Sequence, residues 1–156
     1  MATALDGKSI LVVDDDPDMV TALTTVLDGT GVTIQTAGDG NLAIEKAAQF
    51  DPDLVILDAM LPKRSGFLVL EKLKGATRKK GSRPLVIMIT GNTGKRHQIW
   101  AESLGVDGYL NYMVDVSDGS LRLVSYDGIP EAAAGSLERL EFEHGVVGIA
   151  AGGKGV

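Results

Sequence analysis

The sequence has no cysteine, which excludes disulfides, thiolate zinc sites and cysteine catalysis together and suits a reducing compartment. No apolar stretch is long enough to cross a bilayer. The first residues, MATALDGKSI, lack the basic start and long apolar run of a secretory signal, so none is expected. An excess of positive charge is also missing. The 15 Lys and Arg stand against 21 Asp and Glu, a formal charge of −6, which argues against nucleic acid as the main partner. Only two histidines occur, His97 and His144, and neither has ligand-like neighbours in the sequence. The expectation is a cytoplasmic protein with no membrane partner.

What is present is enough for one ordinary domain and a little more. A chain of 156 residues can bury a core without staples, and 44% hydrophobic residues is too many for disorder. Ser9 to Val13 is a short, β-branched apolar run that fits a strand buried on both faces. Three aspartates follow it, Asp14, Asp15 and Asp16. Asp16 then suits an N-cap and Pro17 the first turn of a helix. That helix carries Val20, Leu23 and Leu27, with Gly31 as its expected stop. Further strands are predicted at 32–37, at Leu54 to Leu57 ending on Asp58, at Leu85 to Ile89 ending on Thr90, and at Val106 to Leu110. Helices are predicted at Asn41 to Phe50, around Phe67, Leu70 and Leu73, and around Ile99, Trp100 and Leu104. Alternating strands and helices imply an α/β fold, a doubly wound parallel sheet with helices on both faces. The basic run from Lys72 to Arg83, including Lys74, Arg78, Lys79 and Lys80, reads as a solvated helix end and loop rather than a nucleic-acid contact.

In such sheets ligands bind at the carboxyl ends of strands. The polar residues predicted there are Asp14, Asp15, Asp58 and Thr90, from three different strands. Each has a plainer reading. An aspartate after a strand is often only a helix cap, and Thr90 before Gly91 could be a turn residue. Asp58 resists that reading, because a turn would do as well with Asn or Gly. Three carboxylates at one edge repel: unit charges about 4 Å apart interact by roughly 4 kcal/mol at an effective dielectric near 20. A hard divalent ion relieves this, and Mg2+ suits a few carboxylates with several waters. Mg2+ also bridges phosphate oxygens, so one carboxylate could act as nucleophile and form an acyl phosphate. A threonine hydroxyl and backbone N–H groups could hold the phosphoryl oxygens.

The motifs ILVVDDDPDM, LVILDAMLPKRSG, VIMITGN and GVDGYL together resemble the receiver domains of two-component response regulators, from about Lys8 to Asn111. Pro62 and Gly66 stand at the family's offsets from Asp58. The resemblance implies five parallel strands in the flavodoxin-like order 2-1-3-4-5. It implies that Asp58 is the phosphoacceptor and that Asp14 and Asp15 form the acidic pair. Asp15 would be a direct metal ligand and Met60 would give a backbone carbonyl to the Mg2+. Thr90 would contact the phosphoryl group, and Tyr109 would be the aromatic that moves with it. The implied partners are a sensor histidine kinase or phosphotransfer protein and a downstream protein target, with a homodimer compatible. Residues 1–112 would form the receiver domain.

The family's lysine after the fifth strand is absent, and Tyr112 and Met113 stand there. A tyrosine hydroxyl there offers one neutral hydrogen bond, so Tyr112→Lys is expected to strengthen coupling between phosphorylation and burial of Tyr109. Past Asn111 the resemblance stops. Residues 113–156 read as an irregular extension: a strand-like stretch from Leu121 to Tyr126, and a helix candidate with Pro130 near its start and Ala133, Leu137 and Leu140 on one face. A flexible glycine-rich end follows. An insertion, a diverged receiver and a coding change near residue 112 all fit. Two other functions remain open. One is a pseudo-receiver that binds partners without phosphorylation. The other is a phosphatase of the haloacid-dehalogenase type, which would use Asp14 and Asp16 as its Asp-x-Asp but leaves Asp58 unexplained.

Overall fold

The structure is a computed structural model that describes residues 6–75, 83–91, 95–114, 117, 120–128 and 139–140. In chain order the elements are β1 (Ser9–Val13), α1 (Pro17–Leu27), β2 (Thr33–Ala37), α2 (Gly40–Phe50), β3 (Leu54–Asp58), α3 (Gly66–Lys74), β4 (Leu85–Thr90), α4 (Lys95–Ser103), β5 (Gly108–Val114), β6 (Leu121–Asp127) and β7 (Arg139–Leu140). They form one sheet in the order β2-β1-β3-β4-β5-β6-β7. The first five strands run parallel, in the expected flavodoxin-like order. β6 and β7 are added antiparallel.

The apolar runs explain the layering. Successive side chains of a strand alternate faces, so runs without polar positions bury both. Leu11, Val13, Val55, Leu57, Val86, Met88 and Tyr109 pack on one face, against Ala43 and Ala47 of α2, Phe67 and Leu70 of α3 and Ala101 of α4. Ile10, Val12, Ile89, Leu110 and Tyr112 pack on the other, against Leu23 of α1. Burying a side chain such as Leu11 or Leu57 fully is worth about 1.5–3 kcal/mol, so these strands hold their register firmly. Among the described residues no helix is long and apolar enough to cross a membrane.

Several local expectations change. α1 ends at Leu27 with Asp28 as its C-cap, not at Gly31. Gly29 already sits at φ +79°, in the left-handed region, so the chain turns before Gly31 is reached. Ile99 and Trp100 are exposed, and α4 buries Ala101. β5 begins later than expected, at Gly108, and runs on to Val114. It continues because β6 pairs beside it and satisfies its backbone, across a register shift between Asn111 and Tyr112. Leu140, expected on a helix, lies in β7 and pairs with Leu121. The rest of that helix candidate, Pro130 to Leu137, and the glycine-rich end lie outside the described residues.

Candidate functional site

The carboxyl ends of β1, β3 and β4 meet at one edge. Asp14 follows β1 directly. Its N–H donates to the Ala37 carbonyl oxygen at 3.1 Å, and its Oδ1 accepts from the Asp16 N–H at 2.9 Å. It is only 7% exposed. Asp15 is exposed. Asp16 turns to α1, where its Oδ1 accepts from the Asp18 N–H at 2.9 Å. The second carboxylate that the phosphatase reading needs is therefore a helix cap. Asp58 closes β3 next to β1, and its Oδ1 accepts from the Met60 N–H at 3.1 Å. One carboxylate oxygen from each of Asp14, Asp15 and Asp58 lies within 4.8 Å of the others.

These carboxylates are held where ionisation is costly. Burial pushes the Asp14 carboxyl up to about 7, and the neighbouring charges of Asp58, Asp15 and Asp16 add to it against the Asp16 N–H. Burial likewise pushes Asp58 up to about 6, with Asp15 and Asp16 adding and the Met60 N–H opposing. All the side-chain donors at the cluster are oxygens, the chemistry that a hard divalent ion selects.

The loop after β3 is pressed onto the site. A Cβ on Gly66 would collide with the Asp58 carbonyl oxygen and with Cα of Ala59, so only glycine allows α3 to start there. The Gly66 N–H donates to the Ala59 carbonyl at 3.0 Å, and Ser65 caps α3. The Pro62 carbonyl accepts from the Arg64 N–H at 2.7 Å and from the Gly40 N–H at 3.4 Å, tying the loop to α2. This accounts for the spacing of Pro62 and Gly66 after Asp58. The Met60 side chain itself is exposed.

Thr90 ends β4, is 2% exposed, and stands in register with Asn111 of β5. Tyr109 is buried on β5, and among the described residues its hydroxyl finds no hydrogen-bond partner. Tyr112 is 3% exposed in the apolar cluster with Ile10, Val12, Leu23, Ile89 and Leu110, where burial pushes its phenol up to about 12.

Two features escaped the sequence. Lys74, expected in a solvated basic run, is 2% exposed and pairs with Asp107 at 2.6 Å. Its ammonium also donates to the Pro84 carbonyl at 2.9 Å, and Asp107 accepts from the Val86 N–H at 2.8 Å. Arg83, at the end of the same run, pairs with Asp51 and Asp53 at 3.2 Å each. Arg78, Lys79 and Lys80 lie outside the described residues. The second feature is an aromatic stack: Trp100 lies flat on Phe67, centroids 4.3 Å apart and 3° between planes, with His97 5.6 Å from the same Phe67 ring. His144 lies outside the described residues.

Comparison with known proteins agrees with this geometry. The chain is 34% identical over 132 residues to the alkaline phosphatase synthesis transcriptional regulatory protein PhoP of Bacillus subtilis, 85% of this chain and 53% of that protein. It is 35% identical over 128 residues to the DNA-binding dual master transcriptional regulator RpaA of Synechocystis, 80% and 52% respectively. The chain thus spans about half the length of these curated relatives. A third, the transcriptional regulatory protein TcrA of Mycobacterium tuberculosis, is 34% identical over 91% of the chain and 57% of its own length. That likeness runs past Asn111, where the motifs alone seemed to stop. Among solved structures, the activated N-terminal receiver domain of Klebsiella pneumoniae RstA superposes with a TM-score of 0.58 at 27% identity, over 65% of this chain and 82% of that one. The family model described as the response regulator receiver domain matches residues 10–119, so the chain belongs to the response regulator receiver domain family.

Proposed function

We propose that the chain is a phosphoacceptor switch whose Asp58 takes a phosphoryl group with the help of Mg2+. The observation that carries this reading is the convergence of Asp14, Asp15 and Asp58 oxygens within 4.8 Å, with the Asp14 and Asp58 carboxyls raised by burial. Such a cluster is poorly stable alone and suits a divalent ion. Asp14, Asp15, Asp58 and the Met60 carbonyl would hold it. When bound, the ion supplies charge neutralisation for the carboxylates and the incoming phosphoryl oxygens.

The chain's own residues do the rest. One Asp58 oxygen attacks phosphorus, an O–P bond forms, and the bond from phosphorus to the donor's nitrogen or oxygen breaks, leaving the electron pair with the donor. The Met60 N–H on Asp58 Oδ1 orients the carboxylate. Thr90 would offer its hydroxyl to the phosphoryl group, and Tyr109, whose hydroxyl has no hydrogen-bond partner among the described residues, would respond to the movement of Thr90. The phosphoryl donor would be a sensor histidine kinase, a phosphotransfer protein or a small acyl phosphate. Like receiver domains in general, the chain would act as a signalling element and not as an enzyme on metabolites. Its output would be a protein contact. The relatives named as DNA-binding or transcriptional regulators are about twice as long as the stretch matched here, so a whole protein carrying this domain would act on transcription through its remaining half.

The test is incubation with acetyl phosphate and Mg2+ followed by intact mass. The chain should gain one phosphoryl group, only with the metal, and Asp58→Asn should abolish it. Modification at Asp14 instead would overturn the assignment. One observation favours a second reading. The residue where the family has a lysine, Tyr112, lies in the apolar cluster, as it could in a pseudo-receiver that binds partners without phosphorylation. No phosphoryl gain at saturating donor and Mg2+ would establish that reading.

A further inference from the structure

A cavity of about 370 Å³ opens at the opposite end of the sheet from the carboxylates, lined by Lys8, Ser9, Ile10, Asp53, Leu54, Arg83 and Leu85. Ile10, Leu54 and Leu85 stand in register across three adjacent parallel strands. They therefore share one face and form one continuous apolar row. Leu85 is 41% exposed at the end of this row, an uncovered apolar surface beside a buried one. The volume is that of a small-molecule site, and so is the composition, an apolar floor with a few polar groups at the rim.

The rim decides which charge it accepts. Two cations and one carboxylate line it. Arg83 is occupied: Nε donates to Asp53 at 3.2 Å, Nη1 to Asp51 at 3.2 Å and Nη2 to the Asp51 carbonyl at 2.8 Å. Asp53 is occupied too, accepting from the Ser9 N–H at 2.9 Å and Ser9 Oγ at 3.2 Å as well as from Arg83. Lys8 is exposed and makes no hydrogen bond or ion pair among the described residues, though its charge, after the Ser9 hydrogen bonds and Arg83, helps to lower the Asp53 carboxyl. A positive charge without a contact partner among the described residues therefore stands beside an apolar row. We propose that this cavity binds a small amphiphile, with an apolar chain along Ile10, Leu54 and Leu85 and a single carboxylate at Lys8. The site is independent of Asp58 and of the switch reading.

Straight-chain fatty carboxylates from octanoate to dodecanoate, kept below micelle-forming concentrations, are the probes, and amide NMR of the full chain is the readout. The shifts should centre on Ile10, Leu54 and Leu85. Affinity should rise about fourfold per added methylene until the cavity is filled. Lys8→Gln should weaken decanoate by up to about fivefold and leave decanol unchanged. Lys8→Glu, at an exposed position that leaves the core intact, should reverse the preference from decanoate to decylammonium. Asp58→Asn should bind decanoate as the parent does. Affinity independent of chain length, shifts that miss those three strand starts, or a Lys8→Glu variant that still prefers decanoate would each overturn the proposal.

Discussion

Asp14→Asn in metal-free protein should stabilise the fold at pH 8. Asp14 is buried, and its carboxyl is raised from 3.8 to about 7, first by desolvation and then by Asp58. A carboxyl with a raised folded pKa binds its proton more tightly when folded. Its contribution to stability is complete below about pH 4 and is lost as pH rises through about 7. Asp58, raised to about 6, acts in the same direction. At 1.36 kcal/mol per pKa unit, ionised Asp14 costs up to ~4 kcal/mol at pH 8. The two carboxylates share part of that cost through their mutual repulsion, so removing one charge should recover ~2 kcal/mol or more. Asparagine keeps an oxygen for the Asp16 N–H now bound at 2.9 Å. Thermal unfolding followed by circular dichroism in chelator, at pH 5.5 and pH 8, reads the effect. The parent chain should melt lower at pH 8, and Asp14→Asn should flatten the difference and raise the pH 8 midpoint by several degrees, at ~2–4 °C per kcal/mol. A parent midpoint that climbs with pH across this window, or an Asp14→Asn variant that melts lower at pH 8, would refute the reasoning.

Millimolar Mg2+ should raise the melting temperature at pH 8, because an ion that binds only the native cluster favours the native state; Asp15→Ala should remove most of that rise in the same assay. Gly66→Ala forces a methyl against the Asp58 carbonyl and should cost about 1–3 kcal/mol in urea unfolding, while slowing phosphoryl gain from acetyl phosphate. Lys74→Met strands Asp107 at its 2.6 Å ion pair and should cost about 3–5 kcal/mol, with part regained in Lys74→Met/Asp107→Asn. Tyr112→Lys places an ammonium in the apolar cluster and should lower stability by at least ~2 kcal/mol; an undiminished urea midpoint would show that the lysine escapes the cluster.

The parts of the fold that were legible are those where one residue's surroundings follow from its own run. β1, β3 and β4 are continuous apolar runs because both their faces are covered, and the polar residue that ends each run falls at the functional edge by topology alone. Asp14, Asp15 and Asp58 could therefore be gathered from two segments without knowing a single distance. What was not legible depends on partners far along the chain. Lys74 looks like one of several solvated cations until Asp107, 33 positions on, arrives beneath it. Trp100 reads as core or as part of a partner surface, and only the stack on Phe67 from a different helix shows how it lies half-exposed. The length of β5 was hidden for the same reason. Asn111 and Tyr112 look like the end of a strand, and only pairing with β6 lets the strand continue through them.

That pairing also bears on the missing lysine. The register between β5 and β6 shifts between Asn111 and Tyr112, and past the shift Tyr112 stands opposite Leu123. Both belong to the cluster on the α1 face. The residue at 112 is therefore held in the apolar layer by a strand pairing. A lysine there would have to leave that layer and disturb the pairing before its charge could reach Asp58. Tyr109 is buried on β5, and its hydroxyl, without a hydrogen-bond partner among the described residues, is a group that could respond. On the proposed reading, chemistry rests on β1 and β3, which keep every carboxylate it needs, and the response rests on β4 and β5, where Thr90 and Asn111 stand in register. A change confined to β5 and β6 then alters what the phosphoryl group moves without altering whether Asp58 can accept it.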